Sequence, residues 1–202
     1  MFSRVGYGLL GAVAAALVLG GCTVNGPDEP LPDPANSGGD TGASRPRDLA
    51  VEDRTDAELC ALLIPEQQTR LDVARPRAVG EDDEKDYPGC LWTGPPGERT
   101  GLDVSIQAVP QGLAEFKEQK LGPGFPETAA SYTVAGGFPA EQSQNNEGLE
   151  THGCNVAVDV ADGQTLWVLS GPLVPGAVPD QQMCDHARRA AEFAVGTLQA
   201  QS

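Results

Sequence analysis

Two stretches in the second half of the chain alternate between apolar and polar side chains. Residues 102–108 are apolar at every second position, and residues 154–160 follow the same rule, with Cys154 on the apolar side. A period of two is typical of a strand with one buried face. Asp162-Gly163 then predicts a tight turn into residues 165–169, which are apolar on both faces and therefore indicate a central or helix-covered strand.

Two weaker strand candidates lie between these stretches. Residues 131–134 and 138–142 are separated by Gly136-Gly137, and Pro139 favours an edge position for the second because it lacks a backbone N–H. Hairpins dominate, and no strand–helix–strand alternation is seen. The pattern therefore predicts an α+β domain built on an antiparallel sheet with helices packed on it.

Three helices are indicated by capping patterns and by helical spacing of apolar residues. Residues 55–58 form a capping-box pattern that opens a short helix, and residues 112–120 predict another, with Leu113 and Phe116 facing inward. Asp180 predicts the start of a long C-terminal helix. The apolar stripe of that helix comprises Cys184, Ala187, Ala191, Val195 and Leu198, whereas Arg188, Arg189 and Glu192 lie off it.

Residues 1–21 have the features of a secretory signal peptide. Arg4 precedes an apolar run over residues 8–19, which is shorter than the ~20 residues that a membrane-crossing helix needs. The sequence Leu-Gly-Gly-Cys that ends at Cys22 resembles a bacterial lipobox, in which the cysteine becomes the acylated N-terminus. An ordinary signal peptide with an incidental cysteine is the alternative. We therefore predict a lipid anchor at Cys22 on the extracytoplasmic face of the cell membrane, because two or three acyl chains hold a protein durably.

Residues 22–54 are predicted to comprise the lipidated cysteine and a disordered tether. The segment is rich in Pro, Gly and Asp and poor in apolar residues, so it cannot bury enough surface to offset its chain entropy. A partner-binding proline-rich segment is the alternative, although no Pro-x-x-Pro series with flanking cations stands out. The sequence then predicts a single folded domain over residues 55–202.

Besides Cys22, four cysteines remain, and an even number in an exported chain predicts two disulfides. Zinc is disfavoured because the spacings are far longer than those of zinc ligands. Three pairings are open. We expect Cys60–Cys184, because both lie on apolar faces of predicted helices, and Cys90–Cys154, because both begin apparent strands.

The charge balance excludes one class of partner. Asp and Glu number 29 against 13 Lys and Arg, a formal net charge of −16. Duplex nucleic-acid binders depend on Lys and Arg to neutralise phosphates, so no nucleic-acid partner is expected. The surface favours cations or basic partners instead.

No motif supplies a catalytic or metal site. Residues 81–86 are acidic, but contiguous acids without a turn glycine are typical of a solvated loop rather than a calcium loop. His152 lies beside a strand start, and His186 is expected on the exposed side of the terminal helix, with a proton-shuttle role as the minor alternative. We therefore expect no cofactor, no metal and no enzymatic activity. A hydrolase site assembled in space is the remaining enzymatic alternative, because catalytic triads need no sequence motif.

Apolar residues near the C-terminus are the candidates for ligand or partner binding. Residues 171–179 form a loop rich in Pro and Gly whose apolar side chains would close over a ligand, touch a partner or cap the core. The strand before it carries a tryptophan, which, like Trp92, would line a pocket or belong to the core. The candidates are Leu173, Val174, Val178 and Trp167.

A series of short motifs along the chain resembles one family. The series runs Leu59-Cys-Ala-Leu-Leu63, Pro65 with a second short helix, Cys90-Leu-Trp92, Gly136-Gly-Phe-Pro-Ala140, Cys154-Asn-Val-Ala-Val158 and Cys184 in an Ala-rich helix. With the lipobox, this order resembles the actinobacterial lipoproteins of the domain-of-unknown-function family numbered 3558. The resemblance implies a cell-envelope lipoprotein and a fold like the Mog1/PsbP group. It supplies no catalytic residue.

These features favour a non-enzymatic, membrane-anchored envelope protein whose domain binds another envelope protein. The alternative is a carrier for a small apolar or lipid-like molecule, which requires an internal cavity of about 300 Å³ or more. The oligomeric state is not specified by any of these patterns.

Overall fold

The structure, a computed structural model, describes residues 44–79, 87–95, 101–120, 130–144 and 153–202. Its main feature is one antiparallel sheet, in which each strand pairs only with antiparallel neighbours. The spatial order is β1-β2-β3-β7-β6-β5-β4. The strands are β1 (Ala74–Ala78), β2 (Gly89–Thr93), β3 (Leu102–Val109), β4 (Ala130–Val134), β5 (Phe138–Gln144), β6 (Cys154–Ala161) and β7 (Gln164–Pro172).

Two consecutive meanders explain this order. β1, β2 and β3 form one meander and β4 to β7 form the other, and β7 joins them by pairing with the whole length of β3. The predicted alternating strands are confirmed as β3 and β6, and Gly163 takes the turn between β6 and β7 with a φ of 70°. The strand that is apolar on both faces is central, as predicted.

Four helices accompany the sheet. The helices are α1 (Asp56–Cys60), α2 (Pro65–Leu71), α3 (Leu113–Lys120) and α4 (Asp180–Gln201). The capping box at α1 is confirmed: the Thr55 hydroxyl accepts from the Glu58 N–H, and the Glu58 carboxylate accepts from the Thr55 N–H. The predicted stripe of α4 is buried throughout, although Pro179 rather than Asp180 occupies the N-cap position.

The helices divide the core into two unequal parts. The larger cluster lies between one face of the sheet and α1, α2 and α4, and it contains Trp92 and Phe138, both fully buried. The smaller cluster lies on the opposite face under α3, where Phe116 packs near Val109 and Ala157. The predicted fold class, an antiparallel α+β domain with short N-terminal helices and a long C-terminal helix, is confirmed.

The folded part begins before residue 55, where the sequence placed the end of the tether. Leu49 and Val51 are 2% and 0% exposed, and the Leu49 N–H donates to the Val160 carbonyl at 2.7 Å. Arg45 adds ion pairs to Asp159 and Asp162 at the β6–β7 turn. The two buried side chains of a mostly polar segment, Leu49 and Val51, therefore bring residues 44–54 onto the domain.

The expected disulfide pairing is wrong. The bonds are Cys60–Cys90 and Cys154–Cys184, each with a Cα–Cα distance of 5.0 Å. Two strands, β3 and β7, separate the strands of Cys90 and Cys154, so three strand spacings of about 4.8 Å put them about 14 Å apart, beyond disulfide reach. Each disulfide instead joins a helix to a strand on which that helix packs. α1 contacts β2, and α4 contacts β6 and β7.

The structure also corrects the expectations for the sheet edges. β5 is an inner strand, and Pro139 is tolerated there because it lies one residue before the β5–β6 ladder begins at Ala140. The outer strand on that side is β4. β1, the other edge, was not predicted, because all five of its residues are exposed and give no alternating pattern.

Several predictions fall outside the described residues. They concern the signal peptide, Cys22, the part of the tether up to residue 43, the acidic residues 81–86 and His152. In the described part of the chain, no helix has the length and apolarity to cross a membrane.

Candidate functional site

The loop after β7 holds three of the four candidate binding residues, but in different environments. Val174 is 41% exposed, Leu173 is half-buried, and Val178 is only 4% exposed and belongs to the core. Val178 therefore caps the core, which was one of the alternatives open for this loop. The apolar surface that remains in this loop is the exposed Val174 with the half-buried Leu173 beside it.

Two hydrogen bonds and its proline content restrict this loop. The Leu173 N–H donates to the Gly101 carbonyl at 3.0 Å, and the Ala177 N–H donates to the Val174 carbonyl at 3.1 Å. Pro175 and Gly176, with a φ of 72° at the glycine, occupy the central positions of this turn as a type II turn requires. The pair Leu173 and Val174 is therefore presented by a fixed loop at the end of β7.

Trp167, the fourth candidate, lies elsewhere. It sits in the middle of β7 on the α3 face, where its ring packs on Phe116 with centroids 5.4 Å apart and its Nε1–H donates to Asn155 at 3.1 Å. A recess lined by these residues, Ala157 and Glu141 has a volume of about 10 Å³, which is room for one water molecule. The structure does not bring Trp167 together with the loop pair. Trp92 is fully buried on the opposite face, in the core.

His186 is buried, contrary to the expectation that it lies on the exposed side of α4. It is 4% exposed, with Nε2 2.7 Å from the Leu71 carbonyl oxygen and Nδ1 2.8 Å from the Ser170 Oγ. Because a carbonyl only accepts, Nε2 carries the proton and donates it, and Nδ1 accepts from the Ser170 hydroxyl. Both nitrogens are satisfied in the neutral ring.

This His–Ser pair is unsuited to nucleophilic catalysis. Ser170 is 0% exposed, so no substrate reaches its hydroxyl, and the pair connects β7, α2 and α4 within the core. Burial lowers the pKa of His186 and is the largest influence on it. The hydrogen bond to the Leu71 carbonyl raises this pKa by less, and the charges of Arg189 and Asp72 lower and raise it by smaller amounts still. The arrangement therefore stabilises the fold in its neutral form.

The depressed pKa of His186 predicts a pH dependence of stability. An unfolded chain protonates this histidine near pH 6.5, whereas the folded chain does not. The free energy of unfolding therefore falls as the pH decreases below about 6.5, with a slope of up to about 1.4 kcal/mol per pH unit. Urea unfolding of the full chain between pH 7.5 and 5.5 measures this slope, and His186→Gln flattens it. An equal slope in His186→Gln would assign the effect to other groups.

No candidate metal centre occurs in the described ranges, where no three His, Cys, Asp or Glu side chains converge as ligands. The acidic residues and the histidine at position 152 that the sequence singled out lie outside these ranges. The His–Ser pair is a polar cluster of the main core, within the described residues, that the sequence did not predict. A wider apolar face on α4 that includes position 186 is the sequence signal that could have revealed this pair.

The geometry defines a disulfide-bonded domain with an antiparallel sheet, an N-terminal segment bound at one end and a fixed apolar loop at the other. The chain belongs to the family described as protein of unknown function (DUF3558), whose sequence model matches residues 17–197. Neither a curated protein nor a solved structure matches the chain.

Proposed function

We propose that the chain is an actinobacterial cell-envelope lipoprotein, anchored by acylated Cys22, whose domain binds another envelope protein through Leu173 and Val174. The observation that carries the proposal is the exposure of Val174 beside the half-buried Leu173 on a fixed loop. The domain acts as an interaction module without catalysis.

Three features support export and anchoring. The lipobox-like sequence ends at Cys22 directly after a signal-like apolar run, and the family match begins at residue 17, so it includes this cysteine. The two disulfides, Cys60–Cys90 and Cys154–Cys184, are typical of proteins that fold outside the reducing cytosol.

The positions of the two ends support a binding role for the loop. The N-H groups of Val51 and Glu52 donate to the Gln164 side chain at the start of β7. β7 then extends over nine residues to Pro172, about 25 to 30 Å away at ~3.3 Å per residue. The pair Leu173 and Val174 therefore lies at the end of the sheet away from the segment that leads to the anchor.

The loop's restriction and the chain's charge indicate the kind of partner. A turn held by hydrogen bonds and prolines loses little conformational entropy when it is bound. The net charge of −16 favours a protein with an apolar patch rimmed by Lys and Arg. We infer a partner of this chemistry in the envelope.

In the described residues, the recess at Trp167 gives no support to the carrier alternative. The recess at Trp167 holds about 10 Å³, against the several hundred that a small apolar ligand needs. It is also bordered by the Glu141 carboxylate and the polar side chain of Asn155.

Crosslinked envelopes from cells that produce the full chain test both parts of the proposal. We expect wild type to incorporate palmitate, fractionate with membranes and recover a reproducible partner, whereas Cys22→Ala loses the label and the membrane association. Val174→Asp keeps the label but recovers about tenfold less partner, because it places a charge within the apolar contact. Thr69→Asp, a matched exposed substitution on α2, behaves as wild type.

Two outcomes would contradict the proposal separately. Acylation that persists in Cys22→Ala would contradict the assignment of the lipid anchor to Cys22. Failure to recover a reproducible partner, or equal recovery of the partner with Val174→Asp and wild type, would contradict the proposed binding role of the loop.

A further inference from the structure

The two edge strands of the sheet differ in how they are protected. β1 carries Pro76 and two arginines among five exposed residues, and its register with β2 is interrupted by a bulge between Ala74 and Arg77. Proline, charge and bulges are the features by which edge strands avoid pairing with other chains. The β1 edge is therefore blocked.

β4 has none of these features. Its sequence is Ala-Ser-Tyr-Thr-Val, without charge or proline, and it pairs with β5 in unbroken register over all five residues. Ser131 and Thr133 are exposed, and Tyr132 is half-buried against α4. Among the described residues, no strand pairs with the outer side of β4, so its outward main-chain groups are presented to another strand.

The proline in β5 shows which main-chain groups these are. Thr133 lies opposite Pro139, which has no N–H, so this pair does not exchange two hydrogen bonds. Hydrogen-bonded and non-hydrogen-bonded pairs alternate along an antiparallel ladder. The N–H and C=O groups of Ser131 and Thr133 therefore point outward, away from β5.

Ion pairs neutralise the charges on both sides of this edge. On the α3 face, the Lys117 Nζ lies 2.5 Å from the Glu141 carboxylate, next to Ser131 in the ladder. On the other face, Arg188 pairs with Glu192 at 3.3 Å and lies over the Tyr132 ring at 4.6 Å. Although the chain has a net charge of −16, the described charges on both sides of β4 are paired, which lowers the repulsion that a second copy would meet there.

We propose that two copies of the chain pair through their β4 strands, antiparallel and about a two-fold axis at Tyr132. Ser131 of each copy then lies opposite Thr133 of the other, and the outward N–H and C=O groups exchange four hydrogen bonds. Opposed Ser and Thr side chains, such as Ser131 and Thr133 here, also stabilise a pair of strands. This proposal is independent of the anchor and of the loop pair.

The blocked β1 edge limits the assembly to two copies. Pairing of β4 with β4 uses both open edges, and the two outer edges of the joined sheet are then β1 strands. An isologous contact of this kind closes on itself. A five-residue seam buries little area, so the dimer dissociates on dilution.

Density-matched sedimentation of the full chain in non-ionic detergent tests this pairing. We expect the wild type to shift from one to two chains with increasing concentration, without larger species. Thr133→Lys abolishes the shift, because each copy then places a lysine diagonally across the seam from the lysine of the other copy, on the same face of the joined sheet. Thr69→Lys makes the same exchange at an exposed site on α2 and keeps the shift.

Disulfide trapping provides a second measurement. Ser131→Cys and Thr133→Cys chains with different tags are mixed and oxidised, and we expect a heterodimer on a non-reducing gel. The same mixture with Arg77→Cys in place of Thr133→Cys gives no specific product. A monomer at every concentration, a shift retained in Thr133→Lys, or equal trapping through Arg77→Cys would each overturn the proposal.

Discussion

Replacing Cys154 and Cys184 together by alanine lowers the free energy of unfolding by about 4 kcal/mol. The bond closes a loop with a sequence separation of 30, and the chain-entropy model assigns about 3.5 to 4 kcal/mol to a loop of this length. Both residues are almost fully buried, so the substitution also removes packing between β6 and α4. Urea unfolding followed by tryptophan fluorescence measures the change.

The second disulfide provides the matched comparison. Cys60–Cys90 closes a loop of the same sequence separation, so the chain-entropy model gives the same stabilisation for the Cys60→Ala, Cys90→Ala double variant. Cys60 is half-buried, however, so a thiol reductant reaches this bond first in the folded wild type. A loss below 1 kcal/mol in both double variants, or earlier reduction of Cys154–Cys184, would contradict these assignments.

The pairing of the cysteines was not available from the local pattern. Cys60 and Cys184 were correctly placed on the inner faces of two helices, and Cys90 and Cys154 on two strands. What decides the bonds is the order of strands, which places β3 and β7 between the two cysteine-bearing strands. That order depends on long-range contacts that no period along the chain records.

Local patterns predicted those elements whose side chains divide cleanly between core and solvent. β3 and β6 alternate, and the α1 cap is complete within residues 55–58. β1 was not predicted, because neither of its faces is buried and its strand conformation depends on pairing with β2. The predicted boundary at residue 54 came too late in the chain, because the apolar residues Leu49 and Val51 lie among many polar neighbours.

The site was less predictable than the fold. The stripe assigned to α4 was too narrow: Met183, His186 and Ala190 form a second buried row beside it, because the helix is covered by α2 as well as the sheet. His186 therefore meets the Leu71 carbonyl, a contact that depends on how two helices cross. Val178 and Val174 are chemically alike, and only the turn between them decides which one is exposed.

Leu49→Ala is expected to lower the free energy of unfolding by about 3 kcal/mol. Leu49 is 2% exposed in the main core, and truncating a buried leucine removes its transfer free energy and leaves a cavity. The segment that carries it is also held by the Leu49 N–H bond to Val160 and by the Arg45 ion pairs, so it cannot collapse freely into the space. Urea unfolding of the full chain measures the loss.

A second leucine provides the control for that prediction. Leu173→Ala makes the same chemical change at a half-buried loop position and costs less than about 1 kcal/mol, because the truncated side chain leaves no closed cavity. Equal effects of the two substitutions would mean that residues 44–54 do not belong to the cooperative core. A large effect at Leu49 alone places the start of the folding unit before residue 55, so that the predicted tether ends before this segment.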